Sequence, residues 1–265
     1  MVHDREFVDS ADGTRLRLVR LGEGPPVVLV HGTAGGKGDW LKVARRLSES
    51  FEVITFDRRG RGDSGDGSDY SLTREVEDIL AVIEVVDAPV RLVGHSFGAI
   101  LCMLAAPRTG SRVNALVLYE PPLGLQGTDD QLLERLDATI ASGDLNSAIR
   151  NFAAAANITI EELGAIETSG PAWAALRDGV RVAGREIRAA KAALPFRAAD
   201  LARIAPPTLI LVGADQRHPT YTGVRDLVTQ VPAATLTTVP GRHLAITFAA
   251  DAFVDALRTF FATIR

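Results

Sequence analysis

The chain lacks several features that would assign its class at once. It has a single cysteine, Cys102, so no intrachain disulfide can form, and its five histidines make no cluster with metal-site spacing. No apolar run is long enough to cross a membrane, and Met1 to Glu6 does not open a signal peptide. These absences make a cytoplasmic protein with no membrane partner and no metal the expectation. Basic charge is not in surplus either. The 29 Lys and Arg residues against 33 Asp and Glu leave a net charge of −4, which argues against a nucleic-acid partner. There is no internal repeat and no low-complexity tract, and nothing in the sequence sets an oligomeric state. What is present is 265 residues, 46% hydrophobic and 23% charged, an ordinary globular composition with enough chain to bury a large core.

The apolar residues fall into two rhythms. Glu6 to Arg20 alternates around Asp12-Gly13, which predicts a β-hairpin with its turn at that pair. Short apolar runs follow at Val27–Val30, Phe51–Phe56, Val90–Val93, Ala115–Tyr119, Thr208–Val212 and Thr235–Val239. Bounded by Gly, Pro or Asp, they suit parallel strands covered on both faces. Between them lie helical patterns, such as Thr73–Val86 with Val76, Ile79, Leu80, Ile83 and Val86 on one stripe, and a last helix from about Ala249 to Ile264. Strands alternating with helices predict a doubly wound, mostly parallel α/β sheet. From Pro121 to Ile204 the rhythm breaks into helices alone: one from near Thr128 to Gly143, then Asp144–Ala156, Thr159–Glu167 and Pro171–Ala193. The chain therefore divides into a sheet domain, residues 1–120 and 205–265, and a helical insertion, residues 121–204.

Gly94-His95-Ser96-Phe97-Gly98 stands directly after an apolar strand and before a helical pattern. Gly-x-Ser-x-Gly in that setting forms a sharp strand-to-helix turn that presents the serine above the sheet as a nucleophile. A serine hydroxyl needs a base, usually a histidine oriented by a carboxylate. His243, in Pro240-Gly241-Arg242-His243 after the last strand, sits where open α/β sheets place catalytic groups. His3 falls at the chain start, His95 beside the serine, His218 before a proline in a polar loop, and His31 in a glycine-rich loop that it would brace. Two carboxylates compete to orient His243. Asp215, after Thr208–Val212, gives the order serine, aspartate, histidine and is the leading choice. Glu120, directly after Ala115–Tyr119, is the rival, since what matters is where the carboxylate lies in space. The N–H groups of Phe97 and of Thr33, in His31-Gly32-Thr33, are the expected oxyanion donors.

His31-Gly32-Thr33, Asp57-Arg58-Arg59-Gly60-Arg61-Gly62-Asp63-Ser64, Gly94 to Gly98 and Gly241-Arg242-His243 together resemble the α/β-hydrolase superfamily, in order and over nearly the whole chain. The chain looks most similar to the small capped members. The resemblance implies that residues 121–204 form a lid and that no cofactor is needed. It also implies a small-molecule substrate met under the lid, with Phe152, Trp173 and Phe196 as candidate lining residues. One departure stands out: Gly-x-x-Asp-x-x-x-Pro in such proteins is a residue shorter here, as Gly213-Ala214-Asp215 followed by Pro219. The expected reaction is cleavage of a small to medium apolar ester or lactone through an acyl-enzyme on Ser96. C–C hydrolysis, a lyase reaction and perhydrolysis share the same triad, and a non-catalytic ligand-binding protein on this fold is the alternative of another class.

Two glycine patterns point elsewhere and fail. Gly60-Arg61-Gly62-Asp63-Ser64-Gly65 matches a dinucleotide fingerprint, but Asp66-Gly67-Ser68-Asp69 follows where a helix should receive the pyrophosphate. Gly32 to Lys37 lacks the spacing of a phosphate-binding loop, and Gly38 stands where a Ser or Thr would be needed.

Overall fold

The computed structural model describes residues 6–264, so His3 lies outside the described residues. The strands are β1 (Glu6–Asp9), β2 (Arg15–Leu21), β3 (Pro26–Val30), β4 (Glu52–Phe56), β5 (Val90–His95), β6 (Val113–Tyr119), β7 (Thr208–Gly213) and β8 (Ala234–Val239). They form one sheet in the order β1-β2-β4-β3-β5-β6-β7-β8. β1 and β2 are the expected hairpin, with Gly13 at φ 80° in the turn. β2 runs antiparallel to β4, and every later pairing is parallel.

The central strands read as continuous apolar runs because both of their faces are covered. Along β3, Val28 and Val30 join one core cluster while Val27 and Leu29 join the other. The first face carries α2 (Leu72–Glu84), α3 (Phe97–Ala105) and the insertion. The second carries α1 (Leu41–Leu47) and the C-terminal helix Ala250–Phe261. Among the described residues no helix is long and apolar enough to cross a membrane.

Residues 121–204 contain helices and no strand: α4 (Asp130–Ala141), α5 (Leu145–Ala155), α6 (Ile160–Thr168), α7 (Pro171–Gly179) and α8 (Ala183–Ala193), with a short turn at Ala198–Leu201. Side chains cap three of them. Asp129 and Asp144 accept from the first turns of α4 and α5, and Thr159 forms a reciprocal capping box with Glu162. The sequence pattern predicts one helix over Pro171–Ala193, but the structure has two, separated by a 3₁₀ turn at Val180–Val182. The break lies where Gly179 passes against the loop after β3. A side chain at that glycine would collide with the Ala34 carbonyl, a tertiary constraint that helical periodicity does not record.

The glycine-rich run after β4 is a brace, and no helix begins until Leu72. Arg58, fully buried, donates to Glu75 at 2.6 and 3.0 Å and to Glu186 of α8 at 2.8 Å. Arg59 pairs with Asp78 and Asp12, Arg61 with Glu186, and Lys37 with Asp57. The Arg58 backbone N–H meets His31 Nε2 at 3.0 Å, so His31 is neutral with its proton on Nδ1, which donates to the Gly32 carbonyl at 2.9 Å. Burial, with the charges of Arg61 and Arg58, holds His31 well below the ordinary imidazole range.

Candidate active site

Ser96 stands between β5 and α3 with φ 56° and ψ −124°, a conformation that L residues rarely adopt and that stores strain. The turn closes because its glycines admit neighbouring backbone. A Cβ at Gly94 would lie 2.6 Å from Ala99 Cα, and one at Gly98 would collide with the Val30 carbonyl. Ser96 N–H donates to the Tyr119 carbonyl at 2.8 Å, which ties the turn to the end of β6.

His243 follows β8, nearly buried, and its Nδ1 lies 2.8 Å from Glu120 Oε2. A carboxylate only accepts, so Nδ1 carries the proton and Nε2 is left as a basic lone pair. Glu120 is fully buried and has φ 45°, an uncommon backbone geometry directly after β6. Its Oε1 accepts from the Gly213 N–H at 2.7 Å and its Oε2 also accepts from Gln216 Nε2 at 2.9 Å. Burial alone would raise the Glu120 pKa. The His243 bond and charge, the Gln216 amide and the Gly213 N–H outweigh it and hold the carboxyl below its ordinary range.

Asp215, the leading sequence choice, does not meet the imidazole. Its side chain is exposed, and its backbone N–H donates to the Gly241 carbonyl at 3.0 Å. The strands explain the exchange. β6 and β7 are neighbours, so both carboxylates leave the same sheet edge, but the turn at Glu120 sends its side chain inward. The residue missing between Gly213 and Asp215 is the sequence signal of this change. Gln216 and the Gly213 N–H, which hold Glu120, were not singled out from the sequence, because a glutamine in a polar loop carries no motif.

Ser96 and His243 line one cavity of about 530 Å³, together with Thr33. Among the described residues no hydrogen bond joins Ser96 Oγ to His243, a contact that often tightens only when substrate is bound. The Phe97 ring is buried in the core under the Arg58 guanidinium, 4.6 Å from its centroid. Phe97 N–H is at the first position of α3, where no helical carbonyl is available to it. Of the three candidate lining residues, Phe152 borders the cavity. Trp173 and Phe196 pack against the hydrophobic core instead. The rest of the wall is mostly apolar, including Ile158, Ile166, Leu176, Leu244 and Phe248.

Asp39 and Lys42 are the carboxyl and amino side chains in that wall. Burial pushes the Asp39 carboxyl up to about 6, against the Gly36 N–H bond and the Arg61 charge, with nearby Asp57 adding to the rise. His95 donates from Nε2 to the His243 carbonyl at 2.9 Å, and its ring lies 4.5 Å from that of His243. Burial, and then the His243 charge, keep His95 neutral. His218 is half-buried and caps the 3₁₀ turn Pro219–Tyr221.

A model of the alpha/beta hydrolase family matches residues 27–256. A solved alpha/beta hydrolase from Sphaerobacter thermophilus is 32% identical, with a TM-score of 0.83, 97% of this chain and 100% of that one being covered. The Klebsiella pneumoniae protein named "Putative carbamate hydrolase RutD" is 27% identical over 241 residues, 88% of this chain and 90% of its own. N-formylmaleamate deformylase of Pseudomonas putida is 34% identical over 122 residues, 44% of this chain and 46% of that protein. With its sheet order and elbow, the chain belongs to the alpha/beta hydrolase family and is an enzyme of the hydrolase class.

Proposed function

We propose that the protein is a serine hydrolase that cleaves small to medium, largely apolar esters or lactones through an acyl-enzyme on Ser96. The observation that carries this reading is the strained Ser96 in one cavity with His243, whose Nδ1–H donates a hydrogen bond to the buried Glu120 carboxylate. Glu120, in place of Asp215, is the acid of the triad.

In this mechanism His243 Nε2 takes the Ser96 proton as Oγ attacks the carbonyl carbon. Glu120 fixes the imidazole tautomer and stabilises the imidazolium that forms. The tetrahedral oxyanion rests on the N–H groups of Thr33 and Phe97. The imidazolium then protonates the leaving alkoxide, and a water deprotonated by His243 releases the acid by the reverse course. Helices of residues 121–204 act as the cap, and Phe152, Ile158, Ile166 and Leu176 give the pocket its apolar roof.

A second reading, cleavage of a carbamate or amide, is favoured by the Klebsiella relative and by Asp39. Its carboxylate could accept a hydrogen bond from a substrate N–H in an otherwise apolar wall. The test is a panel of esters, lactones, carbamates and amides on the intact enzyme and Ser96→Ala, with fluorophosphonate labelling alongside. Ester or lactone turnover and labelling that are both lost in Ser96→Ala support the first reading. Turnover of carbamates alone supports the second, and no labelling of the intact protein overturns both.

A further inference from the structure

Gln216 lies between the Glu120 carboxylate and the helical insertion. Its Nε2 donates to Glu120 Oε2 at 2.9 Å, the oxygen that also accepts from His243 Nδ1 at 2.8 Å. Its Oε1 accepts from the His218 backbone N–H at 3.0 Å and from Asn157 Nδ2 at 3.2 Å. Chemistry fixes this orientation. A backbone N–H can only donate and a carboxylate can only accept, so the amide oxygen must face His218 and the NH₂ must face Glu120.

Asn157 belongs to the insertion, just past the end of α5, at φ 57°. Asparagine tolerates that left-handed geometry better than most residues. The same stretch is tied twice more to the loop after β7. Thr220 Oγ1 donates to the Ala155 carbonyl at 3.3 Å, and Tyr221 OH donates to the Ala156 carbonyl at 3.0 Å. The Tyr221 ring in turn lies 4.4 Å from the His243 ring. Phe152, Ala156 and Ile158, on either side of these bonds, line the cavity.

We propose that Asn157 is a positioning residue, which acts through Gln216 to orient Glu120 and thereby His243. This inference rests on the assignment of Glu120 as the triad acid. With both ends of the Gln216 amide held, the NH₂ cannot turn away from the carboxylate. If Asn157 is lost, Oε1 keeps only the His218 N–H. If Asn157 becomes an acceptor, the amide is driven to flip, which sets Oε1 lone pairs against Glu120 and leaves the carboxylate more proton-avid. A substrate that fills the roof presses on the segment that holds the base, so remote binding energy is realised at the proton-transfer step.

The test measures the second-order rate of Ser96 labelling by a fluorophosphonate across about pH 5–9, a readout that needs no known substrate. Asn157→Asp keeps the shape and the φ tolerance but removes the donor. Asn157→Gly removes the side chain at a φ that glycine adopts freely. Gln216→Leu cuts the relay, and Ser142→Ala, in an exposed turn of the insertion, gives the baseline. Asn157→Asp is expected to slow labelling about tenfold and move the acid limb to higher pH, and Asn157→Gly about threefold in the same direction. Adding Asn157→Gly to Gln216→Leu is expected to change nothing further. Additive effects, or a slower rate with an unmoved acid limb in folded variants, would overturn the proposal. Glu120→Gln in the same series separates the two levels. If it labels at the intact rate, the acid assignment falls and this inference with it. If it is inert while the Asn157 variants match the baseline, only the relay falls.

Discussion

In the floor of the cavity, three strand ends deliver Ser96, Glu120 and His243, two of them on backbone that L residues rarely adopt, and Glu120 has both oxygens bonded. The roof is built otherwise. α6 buries no residue, α7 buries only Gly179, and Ile160 is 86% exposed. Rigid strands hold reacting atoms within the tolerance that proton transfer needs, whereas loosely packed helices provide a surface that can fit different substrates. The difference suggests that substitutions in the floor will change the rate, and substitutions in the roof the choice of substrate.

The sharpest way to break this contrast is at the proposed nucleophile. Ser96→Ala should lower ester turnover by about 10⁴- to 10⁶-fold in a steady-state assay while the protein stays folded. Glu120→Gln should cost on the order of 10⁴-fold in kcat, and Asp215→Asn less than about twofold, when the two are assayed side by side. A roof change acts differently: Leu176→Ala should shift the preference between acetyl and hexanoyl esters about tenfold, with acetyl ester kcat within about threefold.

Smaller effects appear in stability against pH. The folded Glu120 carboxyl lies below its ordinary range, so it stabilises the fold above the unfolded pKa and loses this as pH falls through the folded value. The Tm gap between the intact protein and Glu120→Gln should therefore narrow on acidification below about pH 4. Asp39 has the opposite sign. Its folded value of about 6 exceeds the ordinary one, so the carboxylate costs the fold stability as pH rises from the unfolded value to about 6, and the cost is constant above that. Asp39→Asn should gain Tm at about pH 8 relative to about pH 5, by on the order of a few degrees. The least effect is expected in the exposed roof, where Ile160→Ser should change stability by no more than about 0.5 kcal/mol in denaturant titration.

The strands were legible because each is an apolar run cut by glycine, proline or aspartate, and covered on both faces in the fold. Ser96 was legible because its motif needs glycines that only close backbone approach explains. Which carboxylate meets His243 was not, since spacing places Glu120 and Asp215 at adjacent strand ends and says nothing of which side chain turns inward. Trp173 and Phe196 show a second limit: an apolar residue at helical spacing reads the same whether it faces a cavity or a packed core. The split of Pro171–Ala193 was hidden for a related reason, since the contact between Gly179 and the Ala34 carbonyl lies far away in sequence.

Glu186 sits on α8 yet is buried between Arg58 and Arg61 of the run after β4. Lifting the whole insertion as one rigid flap would part Glu186 from both arginines, leaving Arg58 with Glu75 alone and Arg61 without its carboxylate in a low-dielectric interior. Removing one member of such a buried set typically costs about 3–5 kcal/mol. α6 is tied less firmly, through the partly exposed pair of Glu162 with Arg242 at 3.5 Å. On the proposed reading of the insertion as a cap, opening would turn about α8 and free the side that carries Ile166 and Leu176.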